Sequence, residues 1–257
     1  MPAIVGIIPA RLGSTRLPGK VLLDRTGKPL IRHVYEAAAR ATVLEKLVIA
    51  TDDDRVREAV EGFGGACVMT RVDHPNGTSR LAEAAQKLGL ADDDIIVNVQ
   101  GDEPDIDPEV IHAAVGALTA SNAPVATVAS PFQPGEDPTN PAIVKVVLRR
   151  AGGEGSGGVG QEAGQEAMYF SRSLIPHPRV AGVVAPLKHI GLYVYRHAFL
   201  RRYVAMAPTP LEQAESLEQL RVLENGHAIA VAVRSVSTTG IDTPEQYEAF
   251  VRRMVGR

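Results

Sequence analysis

A dense group of fixed charges follows the first apolar run of the chain. The stretch GIIPARLGSTRLPGKVL, residues 6–22, carries Arg11, Arg16 and Lys20 on a loop with glycines at both ends. Three cations this close together repel one another unless they share an anion, and exposed N–H groups of a glycine-rich loop favour the same partner. A Walker A loop is excluded, because five residues separate Gly13 from the Gly-Lys pair where four are required. The loop therefore predicts a site for phosphate groups, the alternative being a solvated basic loop.

A second group of polar residues follows a later apolar run. NVQGDEPDID places Asn98, Gln100 and Asp102 at the carboxyl end of a predicted strand, where open α/β sheets bind their ligands. Asp102 is a candidate magnesium ligand, because hard cations prefer oxygen donors and use one or two carboxylates beside substrate phosphates. TGIDTPEQ supplies a second candidate, Asp242. The alternative is that Asp242 caps the last helix and that Asp102 is a turn residue.

Other chemistries find little support in the sequence. It contains no G-x-S-x-G, H-E-x-x-H or paired C-x-x-C, so serine-hydrolase and zinc motifs are excluded. The single cysteine, Cys67, is expected to be a buried structural thiol. A G-x-G-x-x-G pattern at Gly153, Gly155 and Gly158 lacks the amphipathic helix that dinucleotide binding requires. His189 is placed either as a ligand residue or as a histidine of the core.

The scaffold for these residues follows from hydrophobic periodicity. Apolar runs alternate with helical segments through the first half of the chain, and Ile31, Val34, Tyr35 and Ala38 share one helical face. This alternation predicts an α/β fold with a doubly wound, mostly parallel sheet. The second half is less regular. There we expect strands in PVATVAS, AIVKVVLRR, LKHIGLYVYR and AIAVAVRSV, a helix over PLEQAESLEQLRVLENG and a closing helix over TPEQYEAFVRRMV.

Length and composition limit the classes of protein further. The 257 residues predict a single domain, 1–257, with a smaller substrate and dimerisation lobe at approximately 130–235. The glycine-rich stretch 151–167 is expected to be a mobile hairpin loop or partly disordered. A net charge of −3 argues against nucleic acid as a partner. With no apolar run near the ~20 residues of a membrane span and no secretory signal, we expect a cytoplasmic protein without membrane association.

Nine motifs occur in a consistent order between about residues 4 and 250. They are IIPARLGSTRLPGK, GKPLIRHV, DHPNGTSRLAE, VNVQGDEP, NPAIVKVV, YFSRSLIP, KHIGLYVYR, SLEQLRVLENG and GIDTPEQ. Together they closely resemble the 3-deoxy-manno-octulosonate cytidylyltransferases, the CMP-Kdo synthetases of Gram-negative bacteria. The resemblance implies a fold of the nucleotide-diphospho-sugar transferase type, Mg²⁺ as cofactor and a homodimer. It also implies that CTP and 3-deoxy-manno-octulosonate (Kdo) are joined, with release of pyrophosphate, for lipopolysaccharide biosynthesis.

The same resemblance assigns roles to individual residues. The implied catalytic residues are Arg11 and Lys20, which would bind the CTP phosphates, and Asp102 and Asp242, which would hold Mg²⁺. Arg80 and Gln100 would help to fix the nucleotide. The implied sugar-binding residues are Gln100, Arg172, His189, Tyr193, Glu218 and Gln219. Two alternatives stay open: transfer to another acidic sugar such as a sialate, and a nucleotide-binding protein without catalysis.

Overall fold

A computed structural model describes residues 2–13, 16–151, 164–180, 182–236 and 240–256. The G-x-G-x-x-G pattern and most of the glycine-rich stretch at 151–167 lie outside the described residues. The chain forms two compact units: the first comprises 1–111, 196–200 and 238–257, and the second 112–195 and 201–237. The single domain over 1–257 with a lobe at approximately 130–235 stays a prediction.

Helices and strands alternate along most of the chain. In chain order they are β1 (Ile4–Ala10), a 3₁₀ helix (Lys20–Leu22), α1 (Leu30–Ala38), β2 (Lys46–Thr51), α2 (Asp54–Gly62), β3 (Cys67–Met69), α3 (Gly77–Lys87), β4 (Ile95–Asn98), α4 (Pro108–Thr119), β5 (Val125–Pro131), β6 (Lys145–Arg150), β7 (Gln165–Ser171), β8 (Leu187–Arg196), α5 (His197–Val204), α6 (Pro210–Glu215), α7 (Leu220–Glu224), β9 (Ile229–Val233) and α8 (Pro244–Val255).

The first unit contains four parallel strands in the order β3-β2-β1-β4. Strand β1 lies in the middle, with Ile7 opposite Val48 on one side and Asn98 on the other. These strands are nearly continuous apolar runs because both faces of a parallel sheet are buried. Since the strands run in one direction, their carboxyl ends meet at one edge. The loops that follow β1 and β4, with the candidate phosphate and metal residues, therefore leave the same edge.

The sheet of the second unit is mixed. Strand β5 is parallel to β9, whereas the pairs β5–β8, β6–β7, β6–β8 and β7–β9 are antiparallel. Alternating burial along β8 suits such strands, which pack one face and expose the other in part. The predicted α/β class is thus confirmed. The mostly parallel pairing that we expected is found in the first unit, whereas the strands of the second unit are mixed.

Two predicted elements of the second unit were wrong. Residues 165–167, expected in a loop, begin β7, which pairs with β6 and β9. The helix expected over residues 210–226 is broken into α6 and α7 at Ser216, whose φ of 52° is left-handed and ends α6. Its predicted stop at Gly226, with φ of 75°, is confirmed.

Smaller predictions have mixed outcomes. Asp53 caps α2 by accepting a hydrogen bond from the backbone N–H of Arg55, a role for which Asp is a preferred residue. Cys67 is half-buried rather than buried, and desolvation raises the pKa of its thiol, which disfavours a nucleophile. In the part of the chain that the structure describes, no helix combines the length and apolar character needed to cross a membrane.

Candidate functional site

The loop after β1 turns sharply at its glycine and ends in a short 3₁₀ helix. Gly19 adopts a left-handed φ of 66°, which glycine reaches without steric cost. Its N–H donates to the carbonyl of Leu12 at 3.2 Å, so the loop closes on itself. Lys20 follows directly and opens the 3₁₀ helix. The Pro-Gly step therefore fixes where the lysine side chain leaves the backbone.

Lys20 lies among three oxygen atoms. Its ammonium donates to Asp102 Oδ2 at 2.8 Å, to Asp242 Oδ1 at 2.9 Å and to the carbonyl oxygen of Ile241 at 3.0 Å. All three N–H donors of the ammonium are thus used. The lysine side chain is only 13% exposed, and Arg16 adds a second cation at 2.9 Å from Asp242 Oδ2. The two candidate metal carboxylates therefore converge on one point. We call these three oxygens and the ammonium the Lys20 cage.

A backbone contact explains how distant parts of the chain form this cage. Asp102 lies beyond the end of β4, and its carbonyl accepts a hydrogen bond from the N–H of Ile241 at 2.8 Å. Asp242 does not cap α8, because Thr243 is the N-cap and accepts a bond from the N–H of Gln246 at 3.3 Å. The alternative interpretation of Asp242 as a helix cap is therefore wrong. Its carboxylate is left for Lys20 and Arg16.

The donor set of the cage suits a hard divalent cation. Two carboxylate oxygens and one carbonyl oxygen surround a site that a positive charge already occupies, and Mg²⁺ prefers such donors and keeps several waters. The described residues contain no group of three or more His, Cys, Asp and Glu side chains that could bind a metal. A pair of carboxylates is the number that Mg²⁺ commonly uses beside substrate phosphates. The residues present thus fit the predicted ion.

Glu103 was not identified from the sequence, although it directly follows Asp102. Desolvation raises the pKa of its carboxyl to about 7, and the negative charge of Asp102 contributes to the same shift. Near neutral pH Glu103 is therefore protonated in part. This limits the negative charge that accumulates next to the cage.

Gly101 allows the loop of Asp102 to approach the end of β1. A Cβ atom at this position would lie 2.8 Å from the carbonyl oxygen of Pro9, closer than real Cβ contacts occur. We expect Gly101→Ala to lower the free energy of unfolding by about 1–3 kcal/mol and to reduce activity by displacing Asp102. Urea unfolding measures the first effect, and pyrophosphate release from CTP, the reaction that the resemblance implies, measures the second. Gly116→Ala on α4, where a Cβ meets nothing within 4 Å, is the control and is expected to be neutral or stabilising.

Arg11 and Gln100 lie at the same edge of the first unit's sheet. Arg11 is exposed immediately after β1, and Gln100 is half-buried two residues beyond β4. Because β1 and β4 are parallel neighbours, the two residues follow adjacent strand ends. The loops that carry Lys20 and Asp102 of the cage begin at the same two strand ends. The structure thus gathers the predicted phosphate and metal residues of the first unit at one edge.

Arg80 is held inside the first unit by its own partners. Its guanidinium donates to Asp52 Oδ2 at 2.9 Å and to Thr70 Oγ1 at 2.5 Å, and its side chain is 4% exposed. Asp52 and Arg80 therefore form a largely buried ion pair. The geometry supports a role for Arg80 in fixing α3 against the end of β2.

This arrangement makes a prediction for Arg80. We expect Arg80→Met to lower the free energy of unfolding by about 3 kcal/mol, because it leaves the Asp52 carboxylate poorly solvated and unpaired. Urea denaturation measures the change. Arg57→Met, which removes an exposed pair with Asp54 on α2, should cost less than about 0.5 kcal/mol. A raised KM for CTP with unchanged stability would instead indicate direct nucleotide contact.

Two predicted sugar residues lie together on β8 in the second unit. The rings of His189 and Tyr193 have centroids 5.3 Å apart, and Phe170 packs edge-on against His189 at 5.1 Å. The Nε2 atom of His189 is 2.9 Å from the hydroxyl oxygen of Thr127. Burial lowers the pKa of His189 to about 3 and raises the pKa of Tyr193 well above its usual value. Both side chains are therefore neutral hydrogen-bonding groups at physiological pH.

The other three sugar candidates lie around β7 and the break between α6 and α7. Arg172 directly follows β7, whereas Glu218 and Gln219 lie between α6 and α7. The carbonyl of Glu218 accepts a hydrogen bond from the hydroxyl of Tyr203 at 2.8 Å, and Gln219 is buried. Glu218 lies near the β8 pair, since its negative charge contributes to the raised pKa of Tyr193.

Comparisons with known proteins agree on one family. The model of a family described as cytidylyltransferase matches residues 5–229. A 3-deoxy-manno-octulosonate cytidylyltransferase of Syntrophobacter fumaroxidans is 50% identical over 96% of this chain and 95% of its own length. The enzyme of the same name from Geobacter metallireducens is 45% identical over 98% of this chain and 97% of its own length.

Solved structures give the same result. A structure of CMP:2-keto-3-deoxy-manno-octonic acid synthetase complexed with CTP has a TM-score of 0.87 and 41% identity, with 99% of each chain covered. A 4-diphosphocytidyl-2C-methyl-D-erythritol synthase, 13% identical with a TM-score of 0.62 over 99% of each chain, shares the fold alone.

Proposed function

The chain belongs to the cytidylyltransferase family, and from this premise we propose that it transfers the cytidylyl group of CTP to Kdo. The products are CMP-Kdo, a precursor for lipopolysaccharide, and pyrophosphate. The observation that carries this proposal is the Lys20 cage, in a chain 50% identical to a 3-deoxy-manno-octulosonate cytidylyltransferase. The cage places one cation for phosphate, Lys20, beside two carboxylates that can share a metal ion.

The reaction brings two anions together, and this defines the task of the site. The anomeric hydroxyl of Kdo attacks the α-phosphorus of CTP in line, and charge builds on the leaving pyrophosphate. Two unit charges about 4 Å apart repel each other by roughly 4 kcal/mol at an effective dielectric constant near 20. Fixed positive charge must therefore offset the repulsion before the reacting atoms can approach.

The first unit supplies that charge. Arg11, Arg16 and Lys20 bind the triphosphate, and Lys20 stabilises the departing pyrophosphate. Asp102 and Asp242 would hold Mg²⁺, which would supply charge neutralisation at the phosphates. The ammonium of Lys20, which contacts both aspartates in this structure, would then be available for phosphate. Gln100 and Arg80 support the nucleotide side from the same unit.

The second unit supplies the sugar side in this proposal. His189 and Tyr193 are neutral and bind sugar hydroxyls, whereas Arg172 binds or orients the carboxylate of Kdo. Glu218 and Gln219 accept hydrogen bonds from further hydroxyls. No protein residue forms a covalent bond to the substrate.

Four broader features belong to the same proposal. The fold is of the doubly wound nucleotide-diphospho-sugar transferase type, supported by the parallel strands of the first unit and a TM-score of 0.87. The residues at approximately 130–235 form the substrate and dimerisation lobe of a single domain. The enzyme works as a homodimer in the cytoplasm, where CTP is available.

Pyrophosphate release tests this function directly. With CTP, Mg²⁺ and Kdo we expect rapid release, and with ATP, GTP or UTP in place of CTP only a small fraction of that rate. Sialic acid in place of Kdo is the control for the second substrate. Release with sialic acid but not Kdo would refute the assignment of the sugar, and ping-pong kinetics would refute direct transfer.

A further inference from the structure

A fully buried lysine in the second unit holds the end of β7. Lys145 lies on β6 opposite Ser171 in the β6–β7 pairing, and none of its surface is exposed. Its ammonium donates to the carbonyl oxygens of Asn140 at 3.0 Å, Ile143 at 2.6 Å and Arg172. Burying an ammonium is costly unless every donor is bonded, and here all three are. The residue therefore joins the loop before β6 to the backbone of Arg172.

The carboxylate of Glu215, at the end of α6, binds Arg172 and its neighbour Ser171. Glu215 accepts hydrogen bonds from the hydroxyl of Ser171 at 2.6 Å and from the backbone N–H of Arg172 at 2.9 Å. The side chain of Arg172 also bonds to Glu215, since its Nε donates to the backbone carbonyl of Glu215 at 2.7 Å. We call Lys145, Arg172 and Glu215 the Arg172 clamp.

The guanidinium of Arg172 also holds the break between α6 and α7. Its Nη2 donates to the carbonyl of Ser216 at 3.3 Å and its Nη1 to that of Pro141 at 3.2 Å. Ser216 is left-handed with φ of 52°, a conformation that costs roughly 1–2 kcal/mol outside glycine and needs support. Three of the five N–H donors of Arg172 are thus committed to backbone carbonyls. Within the part of the chain that the structure describes, this leaves two of its donors for a ligand.

The charges and connections of the clamp suit an acidic sugar. The two cations and one carboxylate of the clamp sum to one positive charge, which Asp137 near Lys145 offsets in part, so the N–H donors of Arg172 are what match a sugar carboxylate. Beyond Ser216 the chain continues within three residues to Glu218 and Gln219, the other proposed sugar residues near β7. The clamp therefore fixes the orientation of the Arg172 guanidinium. It also fixes the backbone at Ser216, from which the chain continues to Glu218 and Gln219.

We propose that Lys145 and Glu215 are positioning residues for the sugar acid: they act through Arg172 and the α6–α7 break without touching the substrate. This inference rests on the proposed function. Neither residue was selected from the sequence, although a lone lysine inside the apolar run NPAIVKVV was a signal. A purely structural role would lower stability or the fraction of active enzyme, but would not change the KM for one substrate alone.

Steady-state kinetics of Lys145→Met and Glu215→Gln separate these roles. For each variant we expect the KM for Kdo to rise about 10-fold or more, because bonds to a charged group are lost, while the KM for CTP stays within about twofold. The double variant should resemble the worse single variant, since both act through Arg172. Arg149→Met, which removes an exposed pair with Glu166 from the same two strands, is the control and should behave as wild type.

Other kinetic results would overturn either the positioning role or the proposed function. A wild-type KM for Kdo in folded Glu215→Gln overturns the proposal, as does an equal rise in both KM values. Glu215→Gln is the decisive variant if Lys145→Met does not fold, because it keeps the shape of the side chain. Wild-type protein that releases no pyrophosphate from CTP with Kdo would overturn the proposed function, and with it this role. Circular dichroism and thermal unfolding establish that each variant is folded.

Discussion

Replacing Asp102 by asparagine is expected to lower turnover by about 100-fold or more while CTP binding is largely kept. The amide keeps the size of the side chain but removes the negative charge that we propose holds a divalent cation. Charge stabilisation by a metal is worth several kcal/mol at the transferring phosphoryl group, which corresponds to about 10²–10³ in rate. In the proposed site Arg11, Arg16 and Lys20 bind the phosphates of CTP, and this change leaves all three in place, so the affinity for CTP should survive. Pyrophosphate release measures turnover, and calorimetry measures the binding of CTP.

The same loop offers a matched control. Asp105 lies three residues further on, and its carboxylate pairs with Arg253 at the protein surface. Asp105→Asn makes the same chemical change without touching the cage, so turnover should stay at the wild-type level. Equal turnover in Asp102→Asn and Asp105→Asn would refute the role of Asp102. A large loss in both would show that the loop tolerates no change of charge.

Part of the site could be predicted because it follows from local pattern. A buried strand followed at once by polar and charged residues is readable in one sequence, as in β4 followed by Gln100 and Asp102. That the loops of β1 and β4 meet follows from the parallel sheet. The contact of Lys20 with two aspartates 82 and 222 positions away could not be read from spacing. It depends on the bond between Ile241 N–H and Asp102 carbonyl, which only the fold creates.

The predictions that failed depend on tertiary partners. Helical periodicity continues through Ser216, yet the helix ends there. The reason is distant in sequence: Arg172, which follows β7, bonds to the carbonyls of Glu215 and Ser216. Likewise, nothing in the local sequence around Asp52 shows that it pairs with Arg80, 28 positions away. A propensity or a local motif carries no information on such a partner. Buried ion pairs and broken helices are therefore where sequence reasoning is weakest in this protein.

Lys20→Met is expected to lower turnover and yet to increase the affinity of the nucleotide-free protein for a divalent cation. Turnover falls because the triphosphate and the departing pyrophosphate lose a cation, worth on the order of 100-fold. Metal affinity rises because the ammonium no longer competes for the carboxylates of Asp102 and Asp242, which it contacts at 2.8 and 2.9 Å. Removal of that partly buried cation should tighten the binding of Mn²⁺ by about 10-fold.

Paramagnetic titration with Mn²⁺ measures this affinity without any turnover. Arg16→Met is the graded control: Arg16 also contacts Asp242, but its side chain is 67% exposed, so water and salt screen it and the gain should be smaller. Equal Mn²⁺ affinity in wild type and Lys20→Met would mean that the ammonium does not occupy the place of the metal ion. Opposite changes in turnover and metal affinity separate the two tasks of Lys20, since a general loss of structure would weaken both.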